Sequence, residues 1–328
     1  MKKTTIEQIA KKVGTSKITV SRALKGQSGV GSELRKQIIQ VASDLGYEKK
    51  RLRVSGEKQI AFIVPKRFFL LTDSFYHVIY YYLNTLCNEN GSKLNLCILE
   101  KDNEEKGILP MEDNFYDGII VGGEVSPRIL DTIKQVSIPY VIIDNDSLDN
   151  DSDCIYMDNF RIGIELTDYL VKRGYKKIGF VGSYSQTSNI TDRFLGYKKI
   201  LYYYNLPMND DWVIDNYNIK TDNYVMDISL PEDLPDAFVC QCDRAAYYFM
   251  QSLKSKGIDI PKQIALVSID NTDLAEATEP KLTSVNINKN MFATEALRLL
   301  NERMEGREEV TRICLKSELV ERDSAPIK

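Results

Sequence analysis

The spacing of apolar residues divides the chain into a short helical region and a longer region of alternating strands and helices. In the first 45 residues, apolar positions recur every three or four residues, which is the period of an amphipathic helix. The three stripes comprise Ile6, Ile9, Ala10 and Val13, then Val20, Ala23 and Leu24, then Leu34, Ile38, Val41 and Leu45. Gly14 separates the first two stripes and permits a tight turn. The pattern therefore predicts three short helices around one small core, opening with a helix-turn-helix.

Polar residues mark the starts of the first two helices. Thr4 and Glu7 have the spacing of a capping box, in which each side chain bonds the backbone of the other. Ser16 is a suitable N-cap for the second helix, because its hydroxyl can accept from a free amide of the first turn.

From Ile60 the pattern changes to short apolar runs separated by amphipathic helical stretches. Such runs are typical of buried parallel strands. They cover residues 60–64, 94–98, 118–121 and 140–143, then 178–181, 237–240 and 264–268, with a last strand near Ile313. Helical patterns lie between them at 162–172 and 245–256, and a further helix is predicted at 292–304. Two series of strand–helix–strand units predict two doubly wound α/β lobes.

The outward face of the second predicted helix carries a distinctive chemistry. Lys17, Ile18, Ser21 and Arg22 lie opposite its apolar stripe. An arginine can bond guanine through two donors in the DNA major groove, and an aliphatic group can contact a thymine methyl. The alternative is an ordinary helical subdomain with solvated charges, but the cap, turn, stripe and basic face together favour DNA binding.

Charge is distributed unevenly along the chain. Its net charge of −4 combines a basic first segment with an acidic remainder. Residues 1–58 carry 14 Lys and Arg against 5 Asp and Glu, whereas the rest carries 29 against 42. A basic arm on an acidic body is the pattern of a nucleic-acid binder whose second domain should not bind phosphate.

Several function classes are disfavoured by composition. The single histidine, His77, argues against histidine-based catalytic triads and metal sites, and the six cysteines lack metal-ligand spacing. We therefore expect no metal, no cofactor and reduced cysteines. No apolar run approaches the ~20 residues that span a bilayer, and no secretory signal precedes the first helix. These features predict a cytoplasmic protein without membrane association.

The first 47 residues resemble a known family. The positions concerned are Thr5-Ile6, Ile9-Ala10, Val13-Gly14, Ser16, Thr19-Val20-Ser21-Arg22, Leu24, Gly26, Val30, Arg35 and Leu45-Gly46-Tyr47. They are similar to the headpiece of the lactose-repressor (LacI) family. The resemblance implies a homodimeric regulator, most simply a repressor, bound to pseudo-palindromic double-stranded operator DNA. The expected DNA-contacting residues are Thr5, Ser16, Lys17, Ile18, Thr19, Ser21, Arg22, Lys25, Tyr47 and Leu52.

Residues 47–59 are charged and are predicted to form a linker. In the resembling family this segment becomes a hinge helix whose leucine enters the minor groove, a device that kinks DNA. The segment here is about four residues shorter than the family spacing, and Lys49-Lys50 replace the usual Pro-Asn. Two alternatives remain open: Leu52 or Val54 acts as the wedge, or the segment is a basic tether that contacts phosphate alone.

The resemblance continues through the α/β region. It is carried by Asp158-Asn159, residues 174–182, Asp192-Arg193 with Gly196-Tyr197, residues 261–271, and Pro280 with residues 282–285. These positions are similar to the family's ligand core, which is of the periplasmic sugar-binding type. The implied domains are a headpiece at 1–46, a linker at 47–59 and an effector-binding and dimerisation core at 60–328. Within the core, lobe one is expected at about 60–157 plus 287–320, and lobe two at about 158–286.

The candidate ligand cleft follows from strand ends, where α/β sheets present polar side chains. Asp144 and Asp270 end apolar strands, Ser183 follows another, and Arg193 opens a helical pattern. Planar charged groups of this kind read sugar hydroxyls, although any single carboxylate could instead be a helix cap or part of a surface ion pair. By resemblance, Arg193 and Asp270 are the main hydroxyl contacts, with Asp144 and Ser183 secondary.

Three further features of the cleft follow from the same resemblance. Phe75 lies near the family's aromatic position. Cys242 stands where the family has an asparagine, whose two-way hydrogen bonding a thiol cannot replace. The basic loop 66–74 could favour an anionic or larger glycan.

Taken together, these features predict a carbohydrate-responsive DNA-binding regulator and no enzyme. A sugar-acting enzyme with a DNA-binding arm lacks a convincing acid–base pair, and a transport-type binding protein is opposed by the basic arm. A regulator that responds to a ligand other than a sugar remains the other alternative.

Overall fold

The computed structural model describes residues 5–24, 29–45, 57–70, 75–112, 115–146, 151–218, 221 and 223–328. The chain forms two units, Met1–Glu57 and Lys58–Lys328. The first contains the helices α1 (Ile6–Val13), α2 (Lys17–Leu24) and α3 (Ser32–Asp44). Their apolar stripes meet in one small core that contains Ile9, Val20 and Ile38, each fully buried. The three predicted helices are thereby confirmed.

The first helix begins one residue later than the sequence pattern indicated. Its N-cap is Thr5, whose hydroxyl accepts from the Gln8 amide while the Gln8 side chain accepts from the Thr5 amide. The predicted Thr4–Glu7 capping box is therefore wrong, and Thr4 itself lies outside the described residues. Glu7 is instead free to reach Lys17 on α2, with 2.7 Å between the carboxylate and the ammonium.

In its described part, the second unit contains two six-stranded sheets, whose strands alternate with helices along the chain, and one small two-stranded sheet. Its first half contains β1 (Lys58–Pro65), α4 (Lys66–Phe69), α5 (Phe75–Glu89), β2 (Ser92–Leu99), α6 (Lys101–Lys106), β3 (Gly118–Gly122), α7 (Pro127–Gln135), β4 (Tyr140–Ile143) and β5 (Asp153–Met157). Its second half begins with α8 (Asn159–Lys172), β6 (Ile178–Val181), α9 (Ser188–Tyr203), a 3-10 helix (Asp210–Trp212), β7 (Val213–Ile214), β8 (Tyr217–Asn218), β9 (Asn223–Tyr224) and β10 (Ala237–Cys240). It closes with α10 (Asp243–Ser255), β11 (Ala265–Asp270), α11 (Asp273–Ala277), β12 (Thr283–Asn286), α12 (Lys289–Met304), β13 (Arg312–Leu315) and β14 (Glu318–Val320).

The sheets define two lobes. Lobe one holds the order β13-β5-β4-β3-β1-β2, and all of its strand pairs are parallel. Lobe two holds β14-β12-β11-β10-β6-β7, parallel except for β14 against β12. The predicted pair of parallel, doubly wound lobes is confirmed. The chain crosses between lobes three times, after β5, after β12 and after β13.

Two details depart from the predicted organisation. Residues 318–320 pair with β12, so this last strand belongs to lobe two, although the family resemblance implied that residues up to 320 belong to lobe one. Of the strands that have no counterpart among the predicted apolar runs, β5 and β12 lie inside the two large sheets, whereas β7, β8, β9 and β14 lie at sheet edges or in the two-stranded sheet. Both β5 and β12 contain buried polar residues, Asp153 in β5 and Thr283 and Ser284 in β12.

Lobe two depends on an unusually close approach of α8 and α9. A Cβ atom at Gly163 would lie 2.1 Å from the carbonyl oxygen of Arg193, and one at Gly196 would lie 2.2 Å from the carbonyl oxygen of Phe160. Because only hydrogen fits at either position, the two glycines set the distance between the helices. Arg193 lies one helical turn before Gly196, so the close contact between the two helices also fixes the position of Arg193.

No helix in the described part of the chain is both long and apolar enough to cross a bilayer.

Candidate functional site

The headpiece presents the predicted DNA-reading residues on the outer side of α2. Lys17, Ile18 and Arg22 are exposed, and the Ile18 side chain is 68% accessible even though it is apolar. An exposed aliphatic residue between two cations suits contact with base edges in the major groove. Val20, Ala23 and Leu24, on the opposite side, are buried.

The start of α2 is held by the predicted cap. The Ser16 hydroxyl accepts from the Thr19 amide at 3.0 Å and lies 2.8 Å from the Thr19 hydroxyl. Gly14 adopts a left-handed conformation with φ of 74°, which permits the turn from α1. The hydroxyls of Thr5, Ser16 and Thr19 therefore take part in capping bonds at the starts of α1 and α2. Ser21 is half-buried on α2. The other predicted DNA contacts, Lys25, Tyr47 and Leu52, lie outside the described residues, as does most of the linker.

The second candidate site is a cavity of about 110 Å³ between the two lobes. Five of the six predicted effector contacts line it: Phe75, Asp144, Arg193, Cys242 and Asp270. They come from both lobes, as the strand-end argument predicts. The sixth predicted contact, Ser183, is not among the described residues that line the cavity. Its hydroxyl donates to the Asp215 carboxylate at 3.1 Å.

Arg193 is the cation of the cavity and is 6% exposed. Its Nε donates to the Asn159 side chain at 2.8 Å, and its Nη1 donates to the Gln241 carbonyl at 2.7 Å. These two bonds fix the plane of the guanidinium. The third nitrogen, Nη2, makes no hydrogen bond within the described part of the chain, so its two N–H groups can donate to a ligand hydroxyl.

The two carboxylates sit on strained backbone at the ends of their strands. Asp144 follows β4 with φ of 56°, and Asp270 ends β11 with φ of 102°. Residues other than glycine rarely adopt such angles, and they concentrate where a ligand must be met at a defined position. Both carboxylates line the cavity between the lobes, which is not the position of a surface ion pair.

A buried tyrosine that sequence analysis did not identify supports Asp144. The Tyr76 hydroxyl donates to Asp144 Oδ2 at 2.6 Å. Burial, followed by the nearby Asp144 carboxylate, raises the pKa of this phenol well above its ordinary value. At neutral pH Tyr76 therefore remains a donor and holds the carboxylate in one orientation.

Aromatic side chains form much of the remaining wall. Phe68, Phe75 and Tyr76 come from lobe one, and Tyr224 comes from the short β9 strand of lobe two. Tyr224 stacks on Tyr248, with ring centroids 5.3 Å apart and planes 5° from parallel. Apolar ring faces of this kind pack against the C–H groups of a sugar or against a flat heterocycle.

Cys242 lies in the cavity wall but has a second, structural role. Its Sγ caps α10 by accepting from the Ala245 amide at 3.5 Å, and it lies 3.3 Å from the Tyr224 hydroxyl. The departure from the family asparagine thus retains an N-cap while offering the ligand a weaker hydrogen-bonding group.

The adjacent Asp243 supports the cavity from behind. It is fully buried and accepts from the hydroxyls of Ser268 and Ser284 and from the amide and hydroxyl of Thr272. Burial raises the pKa of Asp243 despite these four bonds. The network ties the start of α10 to β11 and β12, which positions Gln241 and Cys242 on one side and Asp270 on the other.

The charge of the cavity differs from what the basic loop suggested. Among the described residues that line it, Glu124, Asp144 and Asp270 carry carboxylates, and Arg193 carries a guanidinium. Lys66 lies 3.0 Å from Glu100, and Arg67 pairs with Glu104, so both cations of the loop are matched by carboxylates. Loop residues 71–74 lie outside the described residues. The expectation of an anionic or larger glycan therefore gains no support from Lys66 or Arg67, whose charges are matched within lobe one.

Both units of the chain match known protein domains. Residues 5–50 match the family described as bacterial regulatory proteins, lacI family, and residues 167–325 match a periplasmic binding protein-like domain. A curated relative from Pasteurella multocida, the HTH-type transcriptional repressor PurR, is 29% identical over 98% of each chain.

Solved structures show the same fold. The CelR transcriptional regulator, in complex with cellobiose, aligns with a TM-score of 0.69 and 22% identity over 98% of this chain and 100% of the other. The lac repressor dimer bound to operator and an anti-inducer aligns with a TM-score of 0.67 and 16% identity, over 99% and 100% of the two chains. At these identities the alignments establish the architecture alone.

Proposed function

This chain belongs to the LacI family of bacterial regulatory proteins and is a DNA-binding transcriptional regulator, and we propose that a small neutral carbohydrate bound between its lobes controls its affinity for operator DNA. The observation that carries the proposal is the convergence of Asp144, Arg193 and Asp270 from two lobes on one cavity. A ligand that bridges these groups can favour one arrangement of the lobes over another. A ligand shifts such an equilibrium by its difference in affinity for the two states.

The chemistry of the cavity supports a hydroxyl-rich ligand. Carboxylates accept hydrogen bonds and the guanidinium donates them, and a hydroxyl can serve both. The volume of about 110 Å³ is well below the roughly 300–1,000 Å³ of pockets for drug-sized molecules, which favours a single ring. The CelR neighbour, described as a complex with cellobiose, supports a sugar.

A flat nitrogen heterocycle is the second candidate for the effector. Phe68, Phe75, Tyr76 and Tyr224 line the same cavity and offer ring faces on which such a molecule could stack. Because the two ligand classes differ in hydroxyl content, they are separable in one binding assay.

We also propose that the protein acts as a repressor in the cytoplasm and binds a pseudo-palindromic operator as a homodimer. The lac repressor structure, described as a dimer bound to operator, supports this assembly. Two-fold symmetry of the protein requires two related half-sites in the DNA. We propose no catalytic step, since the cleft residues are explained by ligand binding.

Ligand class is tested by thermal shift with matched panels of monosaccharides, their phosphates, and purine and pyrimidine bases. We expect a neutral ring compound to raise the melting temperature of the wild-type protein and to lose most of this effect in Asp270→Asn. Asparagine tolerates positive φ, so the substitution removes the charge while retaining the backbone. A shift given by sugar phosphates alone, or one unchanged in Asp270→Asn, would contradict the neutral-ligand assignment.

Base reading is tested with Arg22→Ala. Removing the guanidinium should weaken specific binding by roughly 1–3 kcal/mol, because a bidentate contact to a base is lost. The measurement is fluorescence anisotropy with an operator selected from random-sequence DNA by the wild-type protein, set against a scrambled duplex. Lys36→Ala removes one charge from the exposed face of α3 and is the matched control. Full discrimination between the two duplexes by Arg22→Ala would show that α2 does not read the bases there.

A further inference from the structure

The lobes contact one another directly at the rim of the cavity. Glu124, in the loop after β3 of lobe one, accepts from both the amide and the hydroxyl of Ser188 in lobe two, each at 2.7 Å. Beside it, the Asn189 side chain donates to the Asp144 carbonyl at 2.9 Å and to its carboxylate at 3.2 Å. All of these contacts are made by groups of the protein itself.

The Ser188 contact uses a helix terminus. Ser188 is the first residue of α9, and Thr187 is its N-cap. The amides of a first helical turn have no partner within the helix, and the helix dipole makes that end positive. A carboxylate is therefore the group best suited to bind there, and hydrogen bonds to an ionised acceptor are stronger than neutral ones.

The position of Glu124 is fixed from within lobe one. Its carbonyl accepts from Arg67 Nη2 at 2.9 Å, and Arg67 pairs with Glu104, which is 7% exposed. Glu104 also accepts from the Ser126 amide at 2.9 Å. The segment 124–126 is thus held at both ends, so that binding α9 does not require this loop to become ordered first.

We propose that these contacts form a latch that holds the two lobes together without effector, with Glu124 as its principal group. Effector and latch share Asp144, Asn189 and Glu124, since all three line the cavity. The latch moves the equilibrium between open and closed lobes toward closure before any ligand binds. The effector then changes the fraction of closed protein by less than it would in an unlatched protein, because that fraction is already high before the effector binds. That closure of the lobes affects operator binding rests on the proposed function.

The test is hydrogen exchange at the Ser188 amide in the full-length protein without ligand, resolved to single residues by fragmentation mass spectrometry. Because an amide at the first helical position lacks an intrahelical partner, its protection reports on Glu124. We expect exchange at least ~10-fold slower than the intrinsic rate, corresponding to a bond formed about nine-tenths of the time. In Glu124→Ala the rate should return to within a few-fold of the intrinsic value.

Three further variants make the result specific. Glu124→Gln keeps an acceptor without the charge and should show intermediate protection. Ser188→Ala loses only the hydroxyl bond and should retain most of the amide protection. Glu105→Ala, on the exposed face of α6, should match the wild type. The amide of Ile200, inside α9, should be unchanged throughout, which establishes that the helix is intact.

An unprotected Ser188 amide in the wild type would overturn the latch, and so would protection that survives in Glu124→Ala. Neither measurement involves effector or DNA. A failed latch therefore leaves the proposed function standing, and failure of the carbohydrate assignment leaves the exchange result unaffected.

Discussion

Asp153→Asn should lower the free energy of unfolding of the α/β unit by roughly 3–5 kcal/mol, the usual consequence of removing one partner from a buried ion pair. The Asp153 side chain is fully buried at the start of β5. Its carboxylate accepts from Arg303 at 2.9 and 3.0 Å, from Arg307, and from the Thr311 amide at 2.7 Å. These donors tie lobe one to the end of α12. An amide would leave the Arg303 guanidinium without a counter-charge and would leave Arg307 with Glu302, 2.9 Å from its Nε, as its remaining carboxylate partner in the described part of the chain.

The measurement is urea denaturation followed by fluorescence, with Asp210→Asn as control. Asp210 is 98% exposed and lies 3.7 Å from Lys198, so its substitution should change stability by less than about 0.5 kcal/mol. Equal effects of the two substitutions would show that the Asp153 cluster does not stabilise the fold.

The same cluster predicts a pH dependence of defined sign. Burial alone would raise the pKa of Asp153, but hydrogen bonds from Arg303, Arg307 and the Thr311 amide outweigh it and lower the pKa below its ordinary value. A group with a lowered folded pKa contributes its stability above the unfolded pKa of about 3.9 and loses it as pH falls through the folded pKa. The stability difference between wild type and Asp153→Asn should therefore be constant from pH 5 to 8 and shrink below about pH 4.

Gly163→Ala should disrupt effector binding although residue 163 is not part of the cavity wall. The added Cβ would lie 2.1 Å from the Arg193 carbonyl oxygen, a backbone atom that cannot rotate away. The helices α8 and α9 would have to separate, and overpacking of this kind typically costs about 1–3 kcal/mol or more. Because Arg193 lies on α9 at that contact, its guanidinium would move from its bonds to Asn159 and Gln241. We expect effector affinity to fall by at least about tenfold.

The measurement is calorimetric titration with the ligand identified by thermal shift, alongside unfolding of each variant. Glu165→Ala, on the exposed face of the same helix, is the matched control and should bind normally. Normal affinity in Gly163→Ala would show that the helix spacing does not position Arg193.

Local patterns were sufficient to predict most of the fold. Each of the seven apolar runs in the α/β region is a strand, because a strand buried on both faces is apolar along its length. The pattern failed at β5 and β12, whose buried polar residues are satisfied by distant groups. Asp153 depends on Arg303 and Arg307, and Thr283 depends on Arg322 and Ser324. Such partners, dozens to some 150 residues away, leave no local signal in the chain.

The cleft was predicted in part for a related reason. Asp144 follows an apolar strand and Asp270 ends one, so a prediction of where these strands end also predicts the positions of both carboxylates. Glu124 also follows such a strand, β3, so the same reasoning could have found it. Tyr224 lies in a strand of two residues, and the role of Asn189 depends on a contact between lobes. Neither feature has a periodic signature. The departure at Cys242 was visible, but its capping of α10 required the structure.

The proposed coupling between the cleft and the headpiece is measured by the affinity for operator DNA with and without effector. Fluorescence anisotropy would give the operator dissociation constant of the wild type and of Asp270→Asn at one fixed salt concentration. We predict that saturating effector changes the wild-type constant by about 5- to 150-fold, the usual range of allosteric coupling, while the two proteins bind operator equally without effector. Under the same conditions, Asp270→Asn should show no change. A wild-type constant that stays the same although effector is bound in the cleft would show that the two sites are not coupled.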